Sequence, residues 1–148
     1  MKPLTCSIEI ASPVEHVFGV ASDIPGAAER VEGIKSVEML SEGPVGEGTR
    51  WRETRIMFGR EAKEEMWITA FDPPNAYRVE ARSHGTRYDT RFEFEPTEAG
   101  TRLTMRFQGT PETLSARVLG TLFSAMTKHL EKCIRDDLVD IKAACESG

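Results

Sequence analysis

Four side chains in the middle of the chain could do chemistry together if strands set them side by side: Glu53, Arg55, Glu64 and Tyr88. A cavity carboxylate, Glu64 or Glu53, would serve as a base toward an acidic carbon, with Tyr88 and Arg55 stabilising the enolate oxygen that forms. One conflict is built in. A useful base needs its pKa raised by burial, whereas an arginine in contact lowers it. The same residues fit two quieter roles: an Arg55–Glu64 cross-strand salt bridge with no further duty, or recognition of the polar head of a bound small molecule. Ser83, Ser115 and Ser124 lack the G-x-S-x-G setting of a hydrolase nucleophile. The glycines at 43, 46 and 48 lie between strands and open no helix, so they are turn residues and not a phosphate loop. His16, His84 and His129 are dispersed without metal-ligand spacing; His84 alone, beside Gly85, could be twisted toward a cavity mouth. No metal and no cofactor is expected.

Strands must position these groups. Leu4, Cys6, Ile8 and Ile10 alternate with polar residues, the period of a half-buried strand. Ser12-Pro13-Val14-Glu15 reads as a capping box with proline in the first turn, predicting a helix from Pro13 to about Ala21. Asp23 and Pro25 predict a second short helix. Strands are then expected near 34–41, 48–58, 61–71, 76–84, 87–96 and 100–109. The last long stretch, Thr110 to Ala144, places Leu114, Val118, Leu122, Met126, Leu130, Ile134, Leu138 and Ile141 on one stripe, and Thr110-Pro111-Glu112 resembles a helix start. One amphipathic helix of about 45–50 Å is expected there.

Glycine in the turns at Phe58-Gly59-Arg60-Glu61 and His84-Gly85-Thr86-Arg87 suggests two-residue type II′ loops. These loops would pair Arg55 with Glu64, Trp51 with Ile68, Ser83 with Tyr88 and Val79 with Phe92. The Asp72-Pro73-Pro74-Asn75 turn would set Ala70 against Tyr77, and the Thr97 to Gly100 turn Phe92 against Met105. All four registers put the same residues on one face. Its expected rows are Thr49–Ala70–Tyr77–Phe94–Leu103, Trp51–Ile68–Val79–Phe92–Met105, Glu53–Met66–Ala81–Thr90–Phe107 and Arg55–Glu64–Ser83–Tyr88–Gly109. The face should be apolar at one end and polar at the other. The opposite face carries charges such as Arg78, Glu80, Arg91, Glu93 and Arg106. An antiparallel sheet with one wet side must cover the other, and the long helix is the element large enough, adding Leu122 and Met126 to the enclosed wall.

The chain has 148 residues, 39% of them hydrophobic, enough for one domain over 1–148. A formal charge of -5, with acids and bases interleaved, lacks the basic footprint of nucleic-acid binding. Cys6, Cys133 and Cys145 form no CxxC pair and are expected as reduced thiols; with neither an apolar leader nor 18 uninterrupted apolar residues, the expected compartment is the cytoplasm, without membrane insertion.

Four strings in order carry a family resemblance. Ile8-Glu-Ile-Ala-Ser-Pro-Val-Glu-His-Val-Phe18 looks like the opening segment of the SRPBCC superfamily, and Gly43-Pro-Val-Gly-Glu-Gly-Thr-Arg-Trp51 resembles its "GPVGxGT" hairpin. Phe71-Asp-Pro-Pro74 and Glu98-Ala-Gly-Thr-Arg-Leu103 are similar to two of its later turns. Nearly the whole chain thus resembles the START-like, Bet v 1-like helix-grip fold, closest to the polyketide cyclase/dehydrase-like branch. The resemblance implies an α+β fold of order β-α-α-β6-α, with a curved seven-stranded antiparallel sheet wrapped around a long C-terminal helix. It also implies a cavity for a lipid-like, polyketide-like or aromatic molecule, but supplies no catalytic motif.

The leading expectation is therefore a protein binding a small hydrophobic ligand through Trp51, Glu53, Arg55, Glu64, Met66, Ile68, Val79, Ala81, Ser83, Tyr88, Thr90, Phe92, Met105, Phe107, Leu122 and Met126. The alternatives are a cyclase-, dehydrase- or isomerase-type enzyme and a homodimeric interaction module using the outer strand face or Trp67, which falls on the otherwise polar face.

Overall fold

The computed structural model describes residues 3–57, 59–83, 85–115 and 127–147. Strand β1 (Leu4–Ile10) is followed by α1 (Val14–Ser22), a 3-10 turn (Ile24–Gly26) and α2 (Ala27–Arg30). The remaining strands are β2 (Ile34–Met39), β3 (Arg50–Met57), β4 (Arg60–Asp72), β5 (Ala76–Ser83), β6 (Thr86–Thr97) and β7 (Gly100–Pro111), and the chain ends in α3 (Thr127–Glu146). Every pairing is antiparallel, in the order β1-β7-β6-β5-β4-β3-β2. This is the expected helix-grip architecture. Ile134, Leu138, Ile141 and Cys145 bury one stripe of α3, which packs on β1, α1 and α2. No helix among the described residues is long and apolar enough to cross a membrane.

Two start signals are corrected. Thr110 and Pro111 do not open a helix: β7 continues through them, pairing Thr110 with Arg87 and Pro111 with Thr86. The Glu112 amide donates to the Gly85 carbonyl at 2.8 Å, so the neighbouring position 111 turns its nitrogen away from β6. On that side β1 has already ended, at the Leu4–Phe107 pair, and no ladder bond is lost to proline. The helical stripe survives from Leu130 onward; Val118, Leu122 and Met126 lie outside the described residues. Likewise Ser12 caps nothing. Pro13 occupies the cap position of α1, while Ser12 is buried with its carbonyl accepting from Thr101 Oγ1 at 2.8 Å.

Registers follow the expected faces but not all the expected partners. At both glycine hairpins the strands pair two residues from expectation: Met57 with Arg60, and Ser83 with Thr86. Gly59 (φ 74°) and Gly85 (φ 76°) each take the second place of a two-residue turn, where positive φ favours glycine. A slip of two leaves every side chain on its own face. A bulge between Ile68 and Ala70 does not: beyond it Phe71, not Ala70, pairs with Tyr77. Ala70 is consequently exposed, and Phe71 meets Phe18 edge-on at 5.3 Å between ring centroids. The β6–β7 register is as expected, with Phe92 opposite Met105.

Candidate functional site

The inner face divides into a packed half and an open half. Under α1, Phe18 stands edge-on to Tyr77 (5.7 Å) and Phe94 (5.0 Å), above the fully buried Ile10, Ile68 and Leu103. The buried Tyr77 hydroxyl donates to the Ala21 carbonyl at 3.0 Å, fastening the C-terminal turn of α1 to the sheet. Burial, and secondarily the charge of Glu53, push its phenol well above the usual tyrosine range, so it stays neutral.

Toward β2, β3 and β4 the sheet and α3 separate to enclose a cavity of about 610 Å³. That volume suits a small organic molecule. Trp51, Met66, Val79, Ala81, Thr90, Phe92, Met105 and Phe107 line its wall, with Glu53, Arg55, Glu64 and Tyr88 among them. Two expected residues are not on the wall. Ile68 is 1% exposed and belongs to the packed half. Ser83 is carried by the altered β5–β6 register to the hairpin end, opposite Thr86, while Ala81 takes its place opposite Tyr88. Leu122 and Met126, and His84 with them, fall outside the described residues.

The polar end differs most from expectation. Glu53, not Arg55, lies directly opposite Glu64, and Arg55 pairs across the strands with Ala62. Like charges at opposed positions repel. Arg55 turns to the two carboxylates it can reach: its Nε donates to Glu53 at 3.3 Å and its Nη1 to Asp137 of α3 at 3.1 Å. The expected Arg55–Glu64 bridge is replaced by a Glu53–Arg55–Asp137 bridge that ties β3 to the helix. Burial disfavours the Arg55 charge, but Asp137 and Glu53 outweigh it and hold the guanidinium firmly protonated. Burial raises the Asp137 carboxyl above the usual aspartate range, with Arg55 only partly opposing it. The Tyr88 phenol is raised by burial and then by the Glu64 charge, and its ring stacks on Phe107 at 5.8 Å.

Asp137 and Cys133, both on the cavity wall, went unread in the sequence. Their signal was present: Leu130, Cys133, Ile134, Asp137 and Ile141 share one helical face, which makes Asp137 a charge inside an apolar stripe. Among the described residues no group of three or more His, Cys, Asp or Glu side chains could hold a metal ion. On the outer face Trp67 is capped by the Arg50 guanidinium, 4.9 Å from its ring centre.

Residues 1–146 match the family described as polyketide cyclase/dehydrase and lipid transport. The chain belongs to this family. No curated protein matches it. Among solved structures, TTHA0849 from Thermus thermophilus superposes with a TM-score of 0.81 at 18% identity, covering 99% of this chain and 98% of that one. Ara h 8.0201 gives 0.78 at 14% identity, covering 99% of both chains. The di-domain ARO/CYC StfQ from the steffimycin biosynthetic pathway gives 0.81 at 14%, with 98% of this chain covering 51% of that one. At such identities these likenesses establish the fold: the chain has the Bet v 1-like architecture, which fits the binding of hydrophobic molecules.

Proposed function

We propose that residues 1–148 act as one ligand-binding domain that holds a small, mainly apolar molecule bearing a polar group in the cavity between the sheet and α3. The observation that carries this reading is the unequal filling of the inner face: aromatic rings close one half, while about 610 Å³ stays open beside Trp51, Phe92 and the Arg55 cluster. An enclosed, mostly apolar space with a few convergent polar groups is the usual form of a small-molecule site. Carriage without chemistry is favoured over catalysis because Arg55 is already bound to Glu53 and Asp137, leaving it poorly placed to meet an enolate oxygen.

Titration with Nile red, a neutral apolar dye, should saturate and quench Trp51 fluorescence. Phe92→Ala should weaken the dye about tenfold, since the ring forms wall and makes a 4.5 Å stack on Tyr77. Saturation unaffected by this change would place the dye elsewhere. A cyclase or dehydrase reading keeps one support, the Tyr88 phenol near the Glu64 charge. Time-resolved mass spectrometry of a bound polyketide would reveal it by loss of water or an altered retention time.

A further inference from the structure

An unanswered hydrogen-bond donor in the cavity wall narrows the class of ligand, an inference that rests on the binding reading above. Among the described residues, the buried side-chain atoms that bond to nothing are Trp51 Nε1, Thr69 Oγ1, Arg78 Nε and Thr97 Oγ1. Of these four residues Trp51 alone lines the cavity. Other polar groups on that wall are answered within the protein: the Tyr77 hydroxyl by the Ala21 carbonyl at 3.0 Å, the Arg30 guanidinium by Asp23 at 3.1 Å, and the Arg55 guanidinium by Glu53 and Asp137. Trp51 is 2% exposed, and its indole nitrogen is closed off from water as well. A buried donor that neither protein nor water satisfies carries the full cost of its desolvation, and a buried tryptophan N–H usually finds a partner. A phenylalanine would pave the same floor without that cost.

The neighbours of the ring show how an acceptor reaches it. Trp51 stands on β3 between Met39 of β2 and Met66 of β4, each directly opposite it across the strands. Both methionines are only partly buried, and Met66 is itself on the cavity wall. An unbranched thioether chain with three rotatable bonds fills the gap beside a ring and withdraws from it at small cost. The acceptor that suits the position is neutral, because an indole N–H carries no charge and would leave a desolvated carboxylate largely uncompensated. We propose that the Trp51 indole N–H is held for the ligand, which sets an uncharged acceptor, the carbonyl oxygen of a ketone, quinone or ester, against Nε1 as the flanking methionines shift to admit it.

The test compares 2-acetylnaphthalene with 2-isopropenylnaphthalene, the same shape with a methylene in place of the carbonyl oxygen, each added to the full chain with nitrogen-15 in its tryptophans. The chain has two tryptophans, so its spectrum holds two indole N–H resonances, and Trp51→Phe identifies one by deleting it. The Trp51 resonance should move downfield with the ketone and not with the hydrocarbon, while that of Trp67 on the outer face stays in place. Displacement of Nile red, read from the dye's own emission, gives the affinity of each compound. The preference for the ketone over the hydrocarbon should fall about fivefold in Trp51→Phe and be unchanged in Trp67→Phe. The resonance in the unaltered protein decides the matter even where Trp51→Phe does not fold. A ketone that displaces the dye without moving the Trp51 resonance, or that moves it no more than the hydrocarbon does, overturns the proposal and leaves the binding reading standing; so does dye that neither compound displaces. Absence of saturable dye binding overturns both.

Discussion

The two halves of the inner face are built from the same strands and end in opposite states. Under α1, rings from α1, β4, β5 and β6 interlock at 5.0–6.4 Å. Under α3, at the β2–β4 side, Arg55 ties Glu53 of the sheet to Asp137 of the helix across open volume. The packed half obtains its order from shape, the open half from charge. The first is where stability should reside and the second where ligand choice should.

The largest effect expected from breaking this contrast is on the packed side. Phe18→Ala removes the ring that contacts Phe71, Tyr77 and Phe94, and should cost about 3–5 kcal/mol in urea unfolding. Phe92→Ala, on the cavity wall, should cost clearly less stability while weakening the dye. Equal losses from both would erase the distinction between the halves. Next comes Arg55→Ala, which strands Glu53 and Asp137 in a largely desolvated site and should cost roughly 2–4 kcal/mol. Asp137→Asn in the same background should recover part of that loss, because it removes one of the unpaired charges.

Asp137 also gives the open half a signature in pH. Its carboxyl is raised in the folded protein by burial, so folded chains hold that proton at pH values where unfolded chains have released it. Its contribution is fully present below the unfolded value, about pH 4, and is lost as pH rises through the higher folded value. Urea midpoints of the unaltered protein, compared with Asp137→Asn between pH 4 and 7, should therefore fall as pH rises. A difference that grows with pH would mean that Arg55 overcomes burial.

How much of this was legible follows from which physical rule set each feature. Face assignment on the strands obeys a period of two, so misplacing both glycine turns by two residues still put Trp51, Glu53, Tyr88 and Phe92 inward. Partners obey turn geometry instead, and the Arg55–Glu64 pairing was lost with it. Phe71 was unreadable for another reason: the bulge at Ile68–Ala70 is a tertiary accommodation that no local residue type marked. The Thr110-Pro111 signal failed because its chemistry suits a strand end beyond its neighbour as well as a helix start. Asp137 is legible by helical spacing, as a charge on the stripe of Leu130, Ile134 and Ile141.

The smallest effect belongs to the outer face, which differs from both inner halves in having solvent as its partner. There the arginines pair with carboxylates across strands, as in Arg102–Glu9, Arg52–Glu38 and Arg106–Glu93, and each pair contributes little in water. Trp67 is an aromatic side chain of this side, and the Arg50 guanidinium lies over its ring with Glu65 holding that arginine at 3.1 Å. A ring already covered in this way presents little for a second copy of the chain to bury. Trp67→Arg should therefore shift stability by no more than about 1 kcal/mol and leave the mass from light scattering unchanged across a hundredfold dilution. A mass that halves in the variant alone would make this face an interface, with Arg50 displaced from the ring when two copies meet.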